Sequence, residues 1–351
     1  NFENTSLSQI ISKILKGHGI SNICISPGSR NVPLIKSFTS DRFFNNYSHI
    51  DERSSGFFAL GISKTTNIPA VILTTSGTAV ANLLPAVIES DLSMTPLIIL
   101  SADRPKKLIN TGENQTITQN GIFNNFIRES IHIESPFNSY EIIVKKINNI
   151  IFSSNGTNNK KASGPVHINI AFDEPIIDKE DKFEITILKN KYSHKVKKIT
   201  LPSFERPLIV CGQSNSSNNY EEIIKLSNQL NSPILADTVS QIRLWEKHKN
   251  IISHYDFYID KLNQNPDLIL RFGKKPTSKK LNLLLRKYKN ITYLITNNSG
   301  YNDDANNLIH EQDLIESNSN SHKWLKYIKE IDVKVATLLN KNMKINFFEG
   351  N

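Results

Sequence analysis

The residues best suited to chemistry stand in short polar stretches between apolar runs. His49-Ile50-Asp51-Glu52-Arg53-Ser54-Ser55-Gly56 follows the β-prone run from Phe43 to Tyr47. Phe57, Phe58, Leu60 and Ile62 then continue an apolar pattern that predicts a helix opening near Asp51. Glu52 is therefore placed at a strand-to-helix junction. Taken alone, a carboxylate there is what the unpaired amides of a first helical turn select, so its use in chemistry depends on its neighbours. Other polar stretches carry Ser29 and Arg30 in Ser26-Pro27-Gly28-Ser29-Arg30, Arg104 in Ser101-Ala102-Asp103-Arg104-Pro105, and the pair Asn114-Gln115. Guanidinium forks and amide donors are the counterparts of polyanionic ligands, although a surface salt bridge or plain loop polarity would use the same residue types.

The elements that must position them alternate. Leu7, Ile10, Ile11, Ile14 and Leu15 share one helical face behind a Ser6 cap, and Asn22 to Ile25 is a short β-type run. A helix through Leu34 and Ile35 follows the 26–30 turn. Ala70 to Thr74 is a continuous apolar strand; the turn Thr75-Ser76-Gly77-Thr78 leads into one helix carrying Val80, Leu83, Leu84 and Val87. The next strand, Pro96 to Leu100, ends at the 101–105 stretch, and a helix near 142–152 and a strand at 165–170 close the unit. Repeated β-loop-α-β order implies a parallel sheet wrapped by helices, with ligands beyond the carboxyl ends of the strands. The loops after Ile25, Thr74 and Leu100 all fall at that edge. A charged linker follows, then a second α/β unit with strands at 208–211, 233–236, 268–272 and 291–296 and helices near 220–230, from Lys280, and around 322–339. Residues 297 to 320 read as a polar surface loop, and 345–348 as the start of another strand.

Composition bounds the rest. The chain of 351 residues is 38% hydrophobic and 21% charged, fitting globular domains with a sizeable core. Lys plus Arg exceed Asp plus Glu by nine, but the lysines are scattered and no basic stripe interleaved with aromatics occurs, so no nucleic-acid partner is expected. Cys24 and Cys211 each lie inside an apolar run and read as buried strand residues, with neither a disulfide framework nor a zinc site. A cytoplasmic location is the default expectation, with no membrane span. Neither a phosphate-binding GxxxxGK loop nor a complete GxGxxG occurs. His49 and His167 read as packed strand residues.

In order and spacing, SPGSR at 26–30, DERSSGF at 51–57, TSGTAVANLLPAVIE at 75–89, SADRP at 101–105 and GENQTITQ at 112–119 resemble a family of thiamine-diphosphate enzymes. These are the menaquinone-pathway synthases that form 2-succinyl-5-enolpyruvyl-6-hydroxy-3-cyclohexene-1-carboxylate. The resemblance covers most of residues 6–175 and continues more thinly through Ala236 to Gln241, Arg271 to Gly273 and Ser278-Lys279. It implies an α/β fold with a pyrimidine-binding parallel-sheet domain at 1–178, a linker at 179–206, a smaller central α/β domain at 207–340, and at 341–351 the start of a third, diphosphate-binding domain that is otherwise absent. On that expectation the chain is the front portion of a longer protein, inactive alone. The implied reaction is a transfer: 2-oxoglutarate is decarboxylated with thiamine diphosphate and its succinyl unit joined to isochorismate. Mg²⁺ would hold the diphosphate through ligands in the missing domain.

The resemblance assigns Glu52 to the catalytic hydrogen bond with the aminopyrimidine ring, and Thr75, Ser76, Gly77 and Thr78 to the loop bordering that ring across a dimer interface. Ser29, Arg30, Arg104, Asn114, Gln115 and Lys279 become substrate contacts. Lys280 is a weaker candidate, because lysine lacks the fork of the arginine that some relatives carry there. A homodimer or dimer of dimers is the implied assembly. An acetolactate-synthase-like carboligase and a non-catalytic pyrimidine-domain binding module are the competing readings.

Overall fold

The computed structural model describes residues 3–137, 139–157, 161–179, 185–189, 194–213, 220–245, 248–296, 303–317 and 321–342. The chain divides into two compact units, Asn1–Ser193 with Asn298–Tyr301, and His194–Asn297 with Asn302–Asn351. The strand expected at 345–348 lies outside the described residues.

The first unit runs α1 (Asn4–Gly17), β1 (Asn22–Ile25), α2 (Val32–Thr39), β2 (Asn45–Ser48), α3 (Glu52–Thr66), β3 (Ala70–Thr74), α4 (Thr78–Ala81), α5 (Leu84–Leu92), β4 (Leu97–Asp103), β5 (Ser130–Glu134), α6 (Tyr140–Ser154) and β6 (Pro165–Ala171). Its six strands are all parallel, in the order β2-β1-β3-β4-β6-β5. The central strands β3, β4 and β6 are buried at every position, which is why β3 and the first half of β4 read as unbroken apolar runs. One face packs against α1, α2 and α6 through residues such as Ile10, Ile14, Leu34 and Ile147. The other packs against α3, α4 and α5 through Ala59, Val80 and Val87. Each fully buried Leu or Ile contributes about 1.5–3 kcal/mol relative to its exposed state.

Several expectations are corrected here. Helix α1 opens at Asn4, and Ser6 is buried inside it rather than capping it. Its first amides are held from far along the chain: Asn4 N–H and Thr5 N–H donate to the Asp178 carboxylate at 2.7 and 2.9 Å. The helix expected across 80–87 is two helices, because Pro85 at the start of α5 cannot donate to the preceding turn. Strand β4 continues through Asp103, so Ser101, Ala102 and Asp103 belong to the strand and not to the loop beyond it. Strand β5 has no counterpart in the sequence reading; it is a partly exposed edge strand without an apolar run.

The second unit comprises β7 (Lys198–Thr200), β8 (Pro207–Cys211), α7 (Tyr220–Leu230), β9 (Ile234–Ala236), α8 (Ile242–Trp245), β10 (Ile251–Ile252), β11 (Leu268–Phe272), α9 (Lys279–Lys287), β12 (Thr292–Thr296), β13 (Asn307–His310), β14 (Leu314–Glu316) and α10 (His322–Asn342). Six of its strands form a parallel sheet, β10-β9-β8-β11-β12-β13, and β7 pairs with β14. The stretch read as linker thus contains β7, and the stretch read as loop contains β13 and β14. All three are short and partly exposed, so they carry little hydrophobic signal. Helix α9 starts one residue earlier than expected, on a Ser278 cap that accepts from Leu281 N–H at 3.0 Å. Asp237, after β9, accepts from Thr277 N–H at 2.6 Å and from Thr277 Oγ1 at 2.8 Å, tying down the loop after β11. Among the described residues no helix is long and apolar enough to cross a membrane.

Arg271 in β11 and Asp303 are an ion pair with side chains 1% and 2% exposed. Removing one partner strands a buried charge, so Asp303→Ala should lower stability by about 3–5 kcal/mol. The double variant Asp303→Leu/Arg271→Met should recover most of that loss. Denaturant midpoints of the three proteins test this; equal midpoints for the two variants would refute it.

Candidate functional site

In strand order β2-β1-β3-β4, the chain winds one way from β1 and the other way from β3, so the crevice between β1 and β3 is the topological switch point where such sheets take ligands. The two loops leaving that crevice touch. A Cβ placed on Gly28 would stand 2.5 Å from Thr75 Cβ, so a larger residue at 28 forces them apart. Asn31, buried, fixes the first loop by accepting from Gly28 N–H and donating to Ser26 O, both at 3.0 Å.

Glu52 is the first residue of α3. The turn forms there because Asp51 caps it, accepting Ser54 N–H at 3.0 Å. The Arg53 side chain, followed by that amide, holds the Asp51 carboxyl down to about 2. Cap duty therefore falls to Asp51, which leaves Glu52 available for another partner. Glu52 is half-buried in the single chain, not enclosed in a dry pocket. Its Oε2 accepts from Asn82 Nδ2 at 3.0 Å, which ties it to the segment after β3.

The remaining candidates divide by burial. Thr75 and Ser76 are buried and Gly77 is enclosed, whereas Thr78 is exposed at the start of α4. Gly77 has φ +83°, and a Cβ there would lie 3.0 Å from Gln115 O, so the loop after β3 packs directly on the 112–119 segment. Arg30 is buried; it donates to Phe172 O at 3.1 Å and pairs with Glu174 at 3.3 Å. Burial, and then the nearby charge of Arg104, lower its pKa. Arg104 is half-buried and donates to Asn114 O at 3.3 Å. Ser29, Asn114 and Gln115 have exposed side chains. The two guanidiniums and both loops are thus gathered at one sheet edge. Lys279 belongs to the second unit, exposed in the first turn of α9, while Lys280 is engaged with Asp260 at 3.0 Å.

Hydrogen-bonding capacity at this edge is left open. Ser26 Oγ, Thr74 Oγ1, Ser76 Oγ, Arg30 Nε and Arg104 Nε are all buried without a partner, an arrangement that disfavours the folded chain unless a ligand or water answers it. Open hydroxyls around a positive-φ glycine, a half-buried carboxylate and paired guanidiniums fit a heteroaromatic cofactor together with an anionic substrate. Among the described residues no group of three or more His, Cys, Asp or Glu could hold a metal ion.

A second set of polar residues lies alongside, on β4, β6 and the 112–119 segment, and was not singled out in the sequence. Ser101, Asp103, Gln119 and Asn169 are buried and hydrogen-bonded to one another or to strand backbone. For Ser101, Asp103 and Asn169 the signal was polar residues interrupting the apolar runs of β4 and β6. His167 is buried as expected, 2.7 Å from Ser101 Oγ, and His49 packs on Phe58 with ring centroids 4.9 Å apart.

Residues 5–122 match the family model described as "Thiamine pyrophosphate enzyme, N-terminal TPP binding domain". Proteins named 2-succinyl-5-enolpyruvyl-6-hydroxy-3-cyclohexene-1-carboxylate synthase are similar across most of the chain. The one from Chlorobium phaeobacteroides is 36% identical, covering 87% of this chain and 57% of the relative. The Bacillus pumilus protein is 30% identical over 84% and 54%, and that of Geobacillus kaustophilus 29% over 95% and 63%. The chain spans somewhat over half the length of the curated relatives it matches.

Burial, followed by the His132 charge, lowers the His167 pKa from 6.5 to about 3. The folded protein thus holds His167 neutral while the unfolded chain protonates it, so its contribution is present above pH 6.5 and is lost as pH falls from there towards 3. Stability should decline over that window by up to about 1.4 kcal/mol per pH unit. His167→Gln, which keeps a donor for Ser101, should flatten the decline; equal acid sensitivity in urea titrations of both proteins would contradict this.

Proposed function

The chain is homologous over more than four-fifths of its length to 2-succinyl-5-enolpyruvyl-6-hydroxy-3-cyclohexene-1-carboxylate synthases, and from that premise we propose that it serves the same transfer. In this reading 2-oxoglutarate is decarboxylated and its succinyl unit is joined to isochorismate in menaquinone biosynthesis. The observation that carries the reading is the gathering at the β1–β3 crevice of the helix-start Glu52, the Thr75–Thr78 loop, and the two neighbouring arginines Arg30 and Arg104.

Thiamine diphosphate, when bound, supplies an ionisable ring carbon and an electron sink for decarboxylation. Glu52 presents its carboxyl group to a ring nitrogen of the aminopyrimidine, a hydrogen bond that controls where the ring carries its proton. Thr75, Ser76, Gly77 and Thr78 border the ring, and the open hydroxyl of Ser76 supplies a polar contact. Arg30 and Arg104 bind substrate carboxylates, because both guanidiniums retain a free Nε–H and neutralise charge that desolvation would otherwise penalise. Ser29, Asn114 and Gln115 add hydrogen bonds from exposed positions. The Mg²⁺ required by this reading is assigned to no residue of the chain.

A homodimer or dimer of dimers, in the cytoplasm, belongs to the same proposal. Ile50 is fully exposed two residues before Glu52, and Phe57 is 48% exposed. Phe57, Leu60, Pro85 and Ile88 line a groove of about 540 Å³ along α3 and α5. A partner covering this face would bury Glu52 and supply the dry surroundings that its role requires.

In the protein expressed from its gene, Glu52→Gln should leave the melting curve unchanged and lower succinyl transfer to isochorismate at least about a hundredfold. Undiminished transfer would remove Glu52 from the role. Preference for pyruvate over 2-oxoglutarate in the unsubstituted protein would replace the substrate assignment with an acetolactate-type one.

A further inference from the structure

Beside the crevice, a chain of hydrogen bonds runs from the edge strand β5 to the loop after β3, and its polarity is fixed at every step. Gln119, with no exposed surface, accepts Gly77 N–H on Oε1 at 2.8 Å. It donates from Nε2 to Ala102 O at 3.0 Å and to Asn169 Oδ1 at 2.8 Å. Asn169 Oδ1 also accepts Ser101 Oγ–H at 2.6 Å, so Ser101 Oγ must itself accept from His167 Nε2–H at 2.7 Å. The Asn169 amide nitrogen spends its two hydrogens on Asp103 Oδ2 at 2.7 Å and His132 Nδ1 at 3.0 Å. Asp103 Oδ1, in turn, accepts Arg104 N–H at 2.7 Å. Both ends of the network therefore terminate on the binding edge, at the Gly77 amide and at the backbone of Arg104.

This polarity has one condition. Asn169 can donate to His132 only while Nδ1 carries a lone pair, so the imidazole must be neutral with its proton on Nε2, 3.5 Å from Glu134 Oε1. Of the two imidazoles in this hydrogen-bond network, His132 has a side chain 25% exposed, whereas His167 is fully buried. A proton on Nδ1 sets N–H against N–H. Asn169 would then have to turn its oxygen towards His132, placing that oxygen's former donors, Gln119 Nε2 and Ser101 Oγ, opposite an NH₂ group and setting Oδ1 close to the Asp103 carboxylate. The charged and titratable groups facing His132 are Glu134 on its own strand, Asp103 on β4 and His167 on β6.

We propose that Gln119 and Asn169 are positioning residues whose brace on the Gly77 loop and on Arg104 is held by neutral His132 and released when His132 is protonated. The inference rests on reading this edge as the cofactor and substrate site, but the brace itself can be measured without activity. The test is hydrogen exchange of the peptide containing Gly77 in the protein expressed from its gene, corrected for intrinsic rates and referred to the core strand β1. Measurements at about pH 8 and about pH 5.5 span the range in which imidazoles protonate. Protection of the Gly77 segment should fall about tenfold at the lower pH, the effect of losing roughly one hydrogen bond.

His132→Asn places a non-titrating oxygen where Nδ1 stands and should keep the pH 8 protection throughout. Gln119→Glu, which keeps the acceptor for Gly77 and loses both amide donors, should lower protection at both pH values. The same acid loss in His132→Asn as in the unsubstituted protein, or full protection in Gln119→Glu, would overturn the proposal. Titration with thiamine diphosphate and Mg²⁺ separates the two layers: no binding by the unsubstituted protein overturns the functional reading, whereas the exchange result still decides the brace.

Discussion

The close approach of Gly28 to Thr75 is the constraint on which the rest of the binding edge depends. With no side chain at 28, the loop after β1 lies against the loop after β3. Gly77 repeats the device on the other side, its left-handed backbone resting on Gln115. Two missing side chains thus pack three loops into one layer over the switch point. Arg30 is consequently drawn under that layer towards Phe172 and Glu174, close enough to Arg104 for the two charges to feel each other. Like charges held together in this way favour the arrival of an anion.

Polar groups beneath the layer fall into two kinds. Ser101, Gln119 and Asn169 have spent their hydrogen-bonding capacity on one another and on strand backbone, so their burial carries little penalty and makes the floor rigid. Ser26, Thr74 and Ser76, level with them at the ends of the neighbouring strands, have not. Along that row the open groups belong to β1, β3 and the loops leaving them, which flank the crevice. Glu52 is relieved of capping by Asp51.

The central strands and most helices were legible in the sequence because a parallel sheet buried on both faces writes itself as apolar runs, and the loops after Ile25 and Thr74 could be placed at one edge from that order alone. Of the edge strands only Asn45–Ser48 was legible, through the β-prone run from Phe43 to Tyr47. Ser130–Glu134 is half-solvated, and Asn307–His310 and Leu314–Glu316 lie in a stretch whose Asn and Ser content reads as loop. Glu52, Arg30 and Arg104 could be named as candidates through the resemblance of the motifs that carry them, since residue type and position alone also fit a helix-start carboxylate and surface guanidiniums. Gln119, Asn169 and His132 could not, since their significance comes from pairings across 37 to 50 residues of sequence that only the assembled sheet creates. The Ser6 cap failed for the same reason, its place being taken by the carboxylate of Asp178, far along the sequence.

That carboxylate closes the opening turn of the first unit onto the segment after β6. Asp178 closes onto the amides of Asn4 and Thr5, and Asn4 Nδ2 in turn binds Asp173 O and Pro175 O, so the opening turn of the chain and the segment after β6 are laced together like the two sides of a collar. Any excised version of this unit that stops before Asp178 leaves the first helix with bare amides and an unfastened seam, and one that begins after Thr5 leaves the tail nothing to fasten to.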